Sequence, residues 1–570
     1  MRYKSAIGVV ALWVSAAAGA ACGTSSANGG FGGDGSGGAS SGGGAGPGGA
    51  ASSGSAPAGT SSGAGSASGA SGSSGGSGGG ASGRADAGRD GAAAGSSSGG
   101  GSSGASGGGA GSSASSSSGA GSSGASSGGA SSGGVAGDGG TASCSGDPNL
   151  PPEPTIPPAC TTLTASQAVA SGGVPSETTL DTSRIQSALG ACPSGQAVRL
   201  AAGGGNNAFI TGPLTIPSGV TLWVDAGTTL YGTRSPSVYG SAAGLITVRG
   251  ANQGIVGDGV IDGQGGEPMI GGTGSFWDQN GNGGSSPALI AVSGATNFTL
   301  YRITLHNSPM FHVKLAAAGF VVWGVTIKTP SKSTNSAGTA LTPTSAHNTD
   351  GIDPGEAASN GFIVCSNISD GDDHIAIKGG TGVDHITIAH NHFLAGHGMS
   401  IGSETNGGVS NVNVYDLSID GTTSGFGGGS SNGIRIKSDP SRGGLVTGIT
   451  YTDVCVRNLA NPILLTPRYT SATGTLIPQY TGITIRDFHA LAGSLTPTVT
   501  LDGFDSAHVT TATLDNVIVD GTVNVSATNA AVTLGPGNVN FTPSGTNVTV
   551  SGGVSGTSTP NPCTGKWVTF

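Results

Sequence analysis

The sequence predicts an all-β fold, a parallel β-helix of stacked short coils, from three observations. Short runs rich in valine, isoleucine, threonine and aromatic residues follow one another from Ala201 onward, punctuated by Gly, Asn and Asp. The first residues of these runs, among them Asn297, Gly319, Gly361, Asp384, Asn411, Gly448 and Gly482, recur about every 22 to 27 positions, with longer gaps where a loop is inserted. A repeat of that size marks a solenoid. Amphipathic helical stretches are almost absent, which favours strand coils over leucine-rich or ankyrin arrays. A sandwich would show hairpin turns at ~8–12-residue spacing, and a propeller its own longer blade repeat. Neither pattern is visible.

Before the coils, Met1-Arg-Tyr-Lys and the apolar stretch to Ala21 read as a signal peptide over residues 1–21, too short and alanine-rich for a membrane span. Ala18-Gly-Ala20 suits cleavage to a secreted protein, whereas Gly19-Ala-Ala-Cys22 resembles a lipoprotein signal that would make Cys22 a lipid anchor on the outer surface. Residues 22–143 are almost wholly Gly, Ser and Ala, with no collagen period, and are expected to form a disordered tether. Glycine totals 113 of 570 residues, and most of that excess sits in this tether and in the turns of the coils. Residues 144–570 remain, ample for one β-helix domain with a large core. The segment Thr182–Leu189 is expected to be a short N-terminal helix capping the first coil, since an open solenoid end would expose its core. Apart from Cys22, six cysteines remain, and export permits disulfides. Cys160 and Cys192 flank the helix and form the best candidate pair; Cys365 and Cys455, each inside an apolar run, read more simply as reduced core residues.

The chemistry-bearing residues converge on one level of the stack. Asn348-Thr-Asp350, Asp372-Asp373, Gly396-His397-Gly398 and Arg435-Ile-Lys437 are spaced by 22, 25 and 38 residues, the last interval holding a glycine loop from Ser424 to Asn432. Residues one coil apart lie ~4.8 Å from each other. Three carboxylates, an imidazole, a guanidinium and an ammonium should therefore form one surface patch. Arg435 and Lys437 share a side of their strand while Ile434 and Ile436 face the core. The turn at Ser369-Asp-Gly is expected to let both Asp372 and Asp373 face solvent. Alone, each motif is ordinary: Asp-Asp after glycine is usually a solvated turn, and Arg-x-Lys a solvated strand face. Stacked in register, they equip acid/base glycoside cleavage, with cations for an anionic sugar.

The wording of these motifs carries a resemblance. Asn348-Thr-Asp-Gly-Ile-Asp353, Gly371-Asp-Asp373 with Ala376-Ile-Lys378, Gly396-His-Gly-Met-Ser-Ile-Gly-Ser-Glu404 and Arg435-Ile-Lys-Ser438 resemble the bacterial polygalacturonases of glycoside hydrolase family 28. The resemblance runs from about Cys160 to at least Ala490. It implies a right-handed helix and hydrolysis of α-1,4-galacturonan in pectin with inversion. It further implies Asp372 as general acid, Asp350 and Asp373 as activators of water, and His397 as the residue holding the acid's environment. Arg435 and Lys437 would bind the galacturonate carboxylate, with Asn348 and Tyr469 as further substrate contacts. Adjacent coils place carboxylates nearer the ~5–5.5 Å of retaining enzymes than the ~6.5–9.5 Å of inverting ones; inversion thus rests on the resemblance alone. Inserts at Asn335–His347 and 424–432 are expected to border the groove.

The formal net charge of −10 argues against nucleic acid as partner and requires a local cationic patch for an anionic substrate. No cofactor or metal is expected, and the chain is expected to be monomeric. A calcium-dependent pectate lyase would use acidic ligands and an arginine base. A hydrolase of substituted pectin would have less use for the Arg435–Lys437 pair. A non-catalytic adhesin would need none of the stacked set.

Overall fold

A computed structural model describes residues 144, 146–422, 432–554 and 559–569. The expected leader, the tether with Cys22, and residues 424–431 of the glycine loop lie outside the described residues.

Short strands stack in parallel into a right-handed β-helix, the hand favoured by parallel crossovers. One face stacks Ile352–Pro354, Ile375–Ile377, Met399–Ile401, Asn432–Lys437 and Asn461–Thr466. In it Ile352, Ile375, Met399, Ile434 and Ile463 pair in sequence as a buried apolar column. The longer strands, such as Val383–Phe393, Val409–Asp420 and Leu445–Arg457, span the other two faces through a corner. At that corner the ladder skips His390, Asp416 and Asp453, whose φ values of 56°, 49° and 54° are left-handed. Such conformations suit Asp and Asn, which explains the polar punctuation of the repeat.

The core is one continuous apolar column filled by inward residues of successive coils, among them Phe298, Phe320, Ile386, Val412, Ile449 and Ile483. The helix expected over Thr182–Leu189 runs Thr182–Ala191 and buries Ile185 and Leu189 in this column.

The two flanking segments of the described residues, around Cys144 and Cys563, are fastened to the outside of the coils. Cys160 pairs with Cys192, as expected. The reading of Cys365 and Cys455 as reduced core residues is corrected: Cys365 is bonded to Cys144, and Cys455 to Cys563. The reason is local for Cys365. It occupies the left-handed corner, with φ 59°, and belongs to a second apolar cluster outside the column, with Trp323, Val364, Ala389 and Cys144. Polar contacts reinforce both straps. Asp147 accepts a hydrogen bond from Tyr415 at 2.7 Å and lies 3.0 Å from His390, while Lys566 pairs with Asp453 at 2.8 Å and with Asp416.

Candidate active site

Each acid stands at or just before a strand of the first face, where its coil turns inward. Thr349 ties two of these turns together: its hydroxyl donates to the Ala346 carbonyl at 2.8 Å and accepts from the Gly371 N–H at 3.0 Å. A side chain at Gly371 would strike the Ala346 and Pro343 carbonyls, so only glycine lets the turns approach this closely. Asp350 is thereby held one coil from Asp372 and Asp373, and His397 one coil further on.

The three carboxylates have distinct surroundings. Asp373 is enclosed, with its side chain 1 % exposed, and accepts from Arg435 and from the Ser400 hydroxyl at 2.9 Å, with the Lys437 ammonium 3.0 Å from its other oxygen. Burial opposes its charge, but Arg435 and Lys437 outweigh burial and hold the carboxyl well below the usual range. Asp350 is also enclosed, 3.3 Å from Lys378. Burial first, and then the charge of Asp372, push it up to about 7 against the pull of Lys378. Asp372 is the most open of the three, 22 % exposed, and meets His397 Nδ1 at 3.2 Å. There the hydrogen bond and charge of His397 outweigh burial and lower the carboxyl. His397 in turn loses to burial but gains more from Asp372, so it is raised. Within this trio, Asp350 is thus the carboxyl that retains a proton near neutrality.

Two expectations change. Asp373 does not face solvent; its side chain turns inward onto the cations of the neighbouring coils. Arg435 does not reach the cleft either: its guanidinium is 2 % exposed and directed at Asp373 and Ser400, the latter at 3.0 Å. Arg435 is aligned with Ser400 one coil back, so its reach ends on the acid beneath it. Lys437 does line the cleft, 4.7 Å from the Tyr469 ring, alongside Asn348, Asp350, Asp372 and Asp373. The cleft has a volume of about 340 Å³. No residue of 335–347 contributes to its wall. That insert packs instead on Gly266, through Asn335 at 3.0 Å, and on Gly371.

Several site residues went unassigned by sequence reasoning. Lys378 neighbours Asp350, and its signal was present: Ala376-Ile-Lys378 stands two coils before Arg435-Ile-Lys437 at the same position within the coil, since Ile377, Ile401 and Ile436 pair in turn. Asp353 and Asp370, both buried, carry carboxyls pushed well above the usual range by burial first and then by the Asp350 charge. Asp370 accepts from the Asp372 N–H at 3.2 Å, and His374 stacks on Phe393 below the same turn. Possible metal-ligating atoms of Asp372, Asp373 and His397 lie within 4.8 Å of one another, but Asp373 is already neutralised by two cations.

Comparison with known proteins identifies a family. A model of the Glycosyl hydrolases family 28 matches residues 173–537. The chain belongs to that family. Among family 28 relatives, a Ralstonia nicotianae protein named polygalacturonase is 41 % identical over 431 residues, covering 66 % of this chain and 80 % of the relative. An endo-polygalacturonase of Pectobacterium parmentieri is 40 % identical over 360 residues, 59 % of this chain and 81 % of the relative. The solved polygalacturonase from Erwinia carotovora ssp. carotovora aligns with TM-score 0.59 and 36 % identity, over 68 % of this chain and 99 % of that one. An exopolygalacturonase from Thermotoga maritima aligns with TM-score 0.53 at 18 % identity, over 70 % and 93 % of the two chains, a likeness of fold.

Proposed function

We propose that the cleft hydrolyses the α-1,4-galacturonosyl linkages of polygalacturonate by acid/base catalysis with inversion. The observation that carries this reading is the stack of Asp350, Asp372, Asp373 and His397 on successive coils, beside the cleft-lining cations Lys378 and Lys437. Family membership and the relatives' names support it.

Asp372, the most accessible carboxyl, protonates the departing glycosidic oxygen; Asp350 and Asp373 activate the attacking water, Asp350 taking its proton and the ionised Asp373 orienting it. Before substrate enters, Asp350, pushed up to about 7, is the carboxyl of the trio that holds a proton most readily. A galacturonate carboxylate entering beside Lys437 adds negative charge, raises Asp372 and draws the proton toward it. His397 holds the Asp372 carboxyl in place from the next coil. Lys437 binds the sugar's carboxylate, with Tyr469 and Asn348 as neighbouring contacts, and Arg435 acts by keeping Asp373 ionised. We place the chain outside the cytoplasm, either freely secreted or anchored to the outer surface through Cys22, and the three disulfides among the described residues support export.

Reducing-end release from polygalacturonate, with and without chelator and with product sizing, tests the reading. Release unaffected by chelator, without an ultraviolet-absorbing product, is expected. An unsaturated product lost on chelation would identify a lyase instead.

A further inference from the structure

The cleft continues past the acids toward the N-terminal coils. On the face that carries the site, Lys314 pairs with Asp353 on one side and Ala291 on the other, and Ala291 pairs with Thr247. Lys314 thus stands one coil before Asp353, and Arg249, two residues after Thr247, three coils before it. At ~4.8 Å per coil, the two cations lie ~5 and ~14 Å along the axis from the level of the acids.

Both side chains are exposed and line the same cleft as Asp350 and Asp372. The other cleft-lining cations are engaged by acids: Lys378 by Asp350, Lys437 by Asp373, and Arg442 by Glu404 and Asp439. Among the described residues no carboxylate pairs with Lys314 or Arg249; Lys314 rests 5.7 Å from the Phe311 ring. The wall beside them is mostly apolar, with Ala291, Val292, Leu315 and Ala316 together with Ser293. In a protein of net charge −10, with the exposed Glu356 on the same cleft, two cations without a carboxylate partner among the described residues supply positive charge at spaced coils of the groove.

We propose that Lys314 and Arg249 form an extended subsite that binds carboxylates of a polyuronate chain away from the cleaved linkage. The inference rests on the hydrolase reading above and adds to it which residues make long substrates bind better than short ones. Neither side chain must break an existing ion pair to bind, so the cost of engagement is confined to the rotamer freedom each gives up.

The test is kinetic. Lys314→Gln, Arg249→Gln and the double reversal Lys314→Glu with Arg249→Glu are compared with the native chain on polygalacturonate and on galacturonate oligomers of increasing length, at low and high salt. Arg486→Ala, an exposed cation on another face, serves as control. Each neutral variant should raise KM for long chains by about two- to fivefold, as expected for an exposed ion pair, and the reversal by more. Short oligomers should be affected less, the rise of KM with salt should flatten, and the charge-keeping Lys314→Arg and Arg249→Lys should recover native KM. An active native chain whose variants show native KM at every length and salt would overturn the subsite alone. A loss in kcat equal at all lengths would also overturn it, since that pattern belongs to the chemistry. A native chain inactive on polygalacturonate would overturn the hydrolase reading itself.

Discussion

Replacing Arg435 by methionine removes a guanidinium from a carboxylate that has almost no contact with water. Asp373 and Arg435 are 1 % and 2 % exposed, and after the substitution Asp373 keeps only Lys437 at 3.0 Å and the Ser400 hydroxyl at 2.9 Å. Removing one partner of a buried pair costs ~3–5 kcal/mol. The remaining lysine places this case near the lower end, about 3 kcal/mol, out of a usual ~5–15 kcal/mol of total stability. The leading influence that keeps Asp373 ionised is lost as well, so its carboxyl rises toward protonation and turnover falls. Thermal unfolding followed by near-ultraviolet circular dichroism should show a melting point lowered by roughly 3 °C. kcat should drop alike on free polygalacturonate and on methyl-esterified pectin, with little change in KM. Lys437→Met should behave differently: its ammonium lines the cleft, so KM should rise about tenfold on the free acid, equivalent to ~1.5 kcal/mol, and much less on the ester. An unchanged melting point for Arg435→Met, with a KM increase confined to free polygalacturonate, would refute the reasoning and return the guanidinium to the substrate.

Asp372→Asn should lower kcat by ~10²–10⁴ or more while leaving the melting curve nearly unmoved, because the side chain borders the cleft rather than the core; steady-state kinetics and calorimetry check both halves. The pH–rate profile should fall as pH rises through about 7, where Asp350 gives up the proton of the trio, and in Asp350→Asn that limb should vanish from whatever activity remains. His390 lies between Asp416 and Asp147, with Tyr415 and Lys566 adjoining the same acids, and the Asp416 hydrogen bond raises its pKa against burial. The charged imidazole is therefore favoured in the folded state: its contribution is fully present below the unfolded value of ~6.5 and is lost as pH rises through the raised folded value. In His390→Gln, melting points measured from pH 5 to 9 should decline less steeply over that window than in the native chain. Deleting residues 23–143 should leave turnover on soluble polygalacturonate unchanged, since a Gly/Ser tether adds no contact to a groove; a large loss in the truncated chain would assign that segment a binding or folding role.

The architecture and the order of the site were legible in the residues because a β-helix maps chain distance onto height. Runs of Val, Ile and Thr fill a single apolar column, Asp and Asn turn its corners, and a motif every coil or so must stack on its neighbour. Asp350, Asp372, Asp373, His397 and Lys437 could be brought together by counting, and Cys160 with Cys192 by the short helix between them. What counting does not supply is direction within a level and contact across inserted loops. Whether Arg435 points at substrate or at Asp373 depends on the depth of the turn at Gly371 and on Ser400 beneath it, which only packing sets. Cys144 and Cys563 find partners 221 and 108 residues away because the flanking segments run along the outside of the coils, a path that no periodicity encodes. Lys314 and Arg249 join the cleft for the same reason: a 39-residue step from Lys314 to Asp353 includes the 335–347 insert, so their nearness to the acids emerges only once that loop is folded aside.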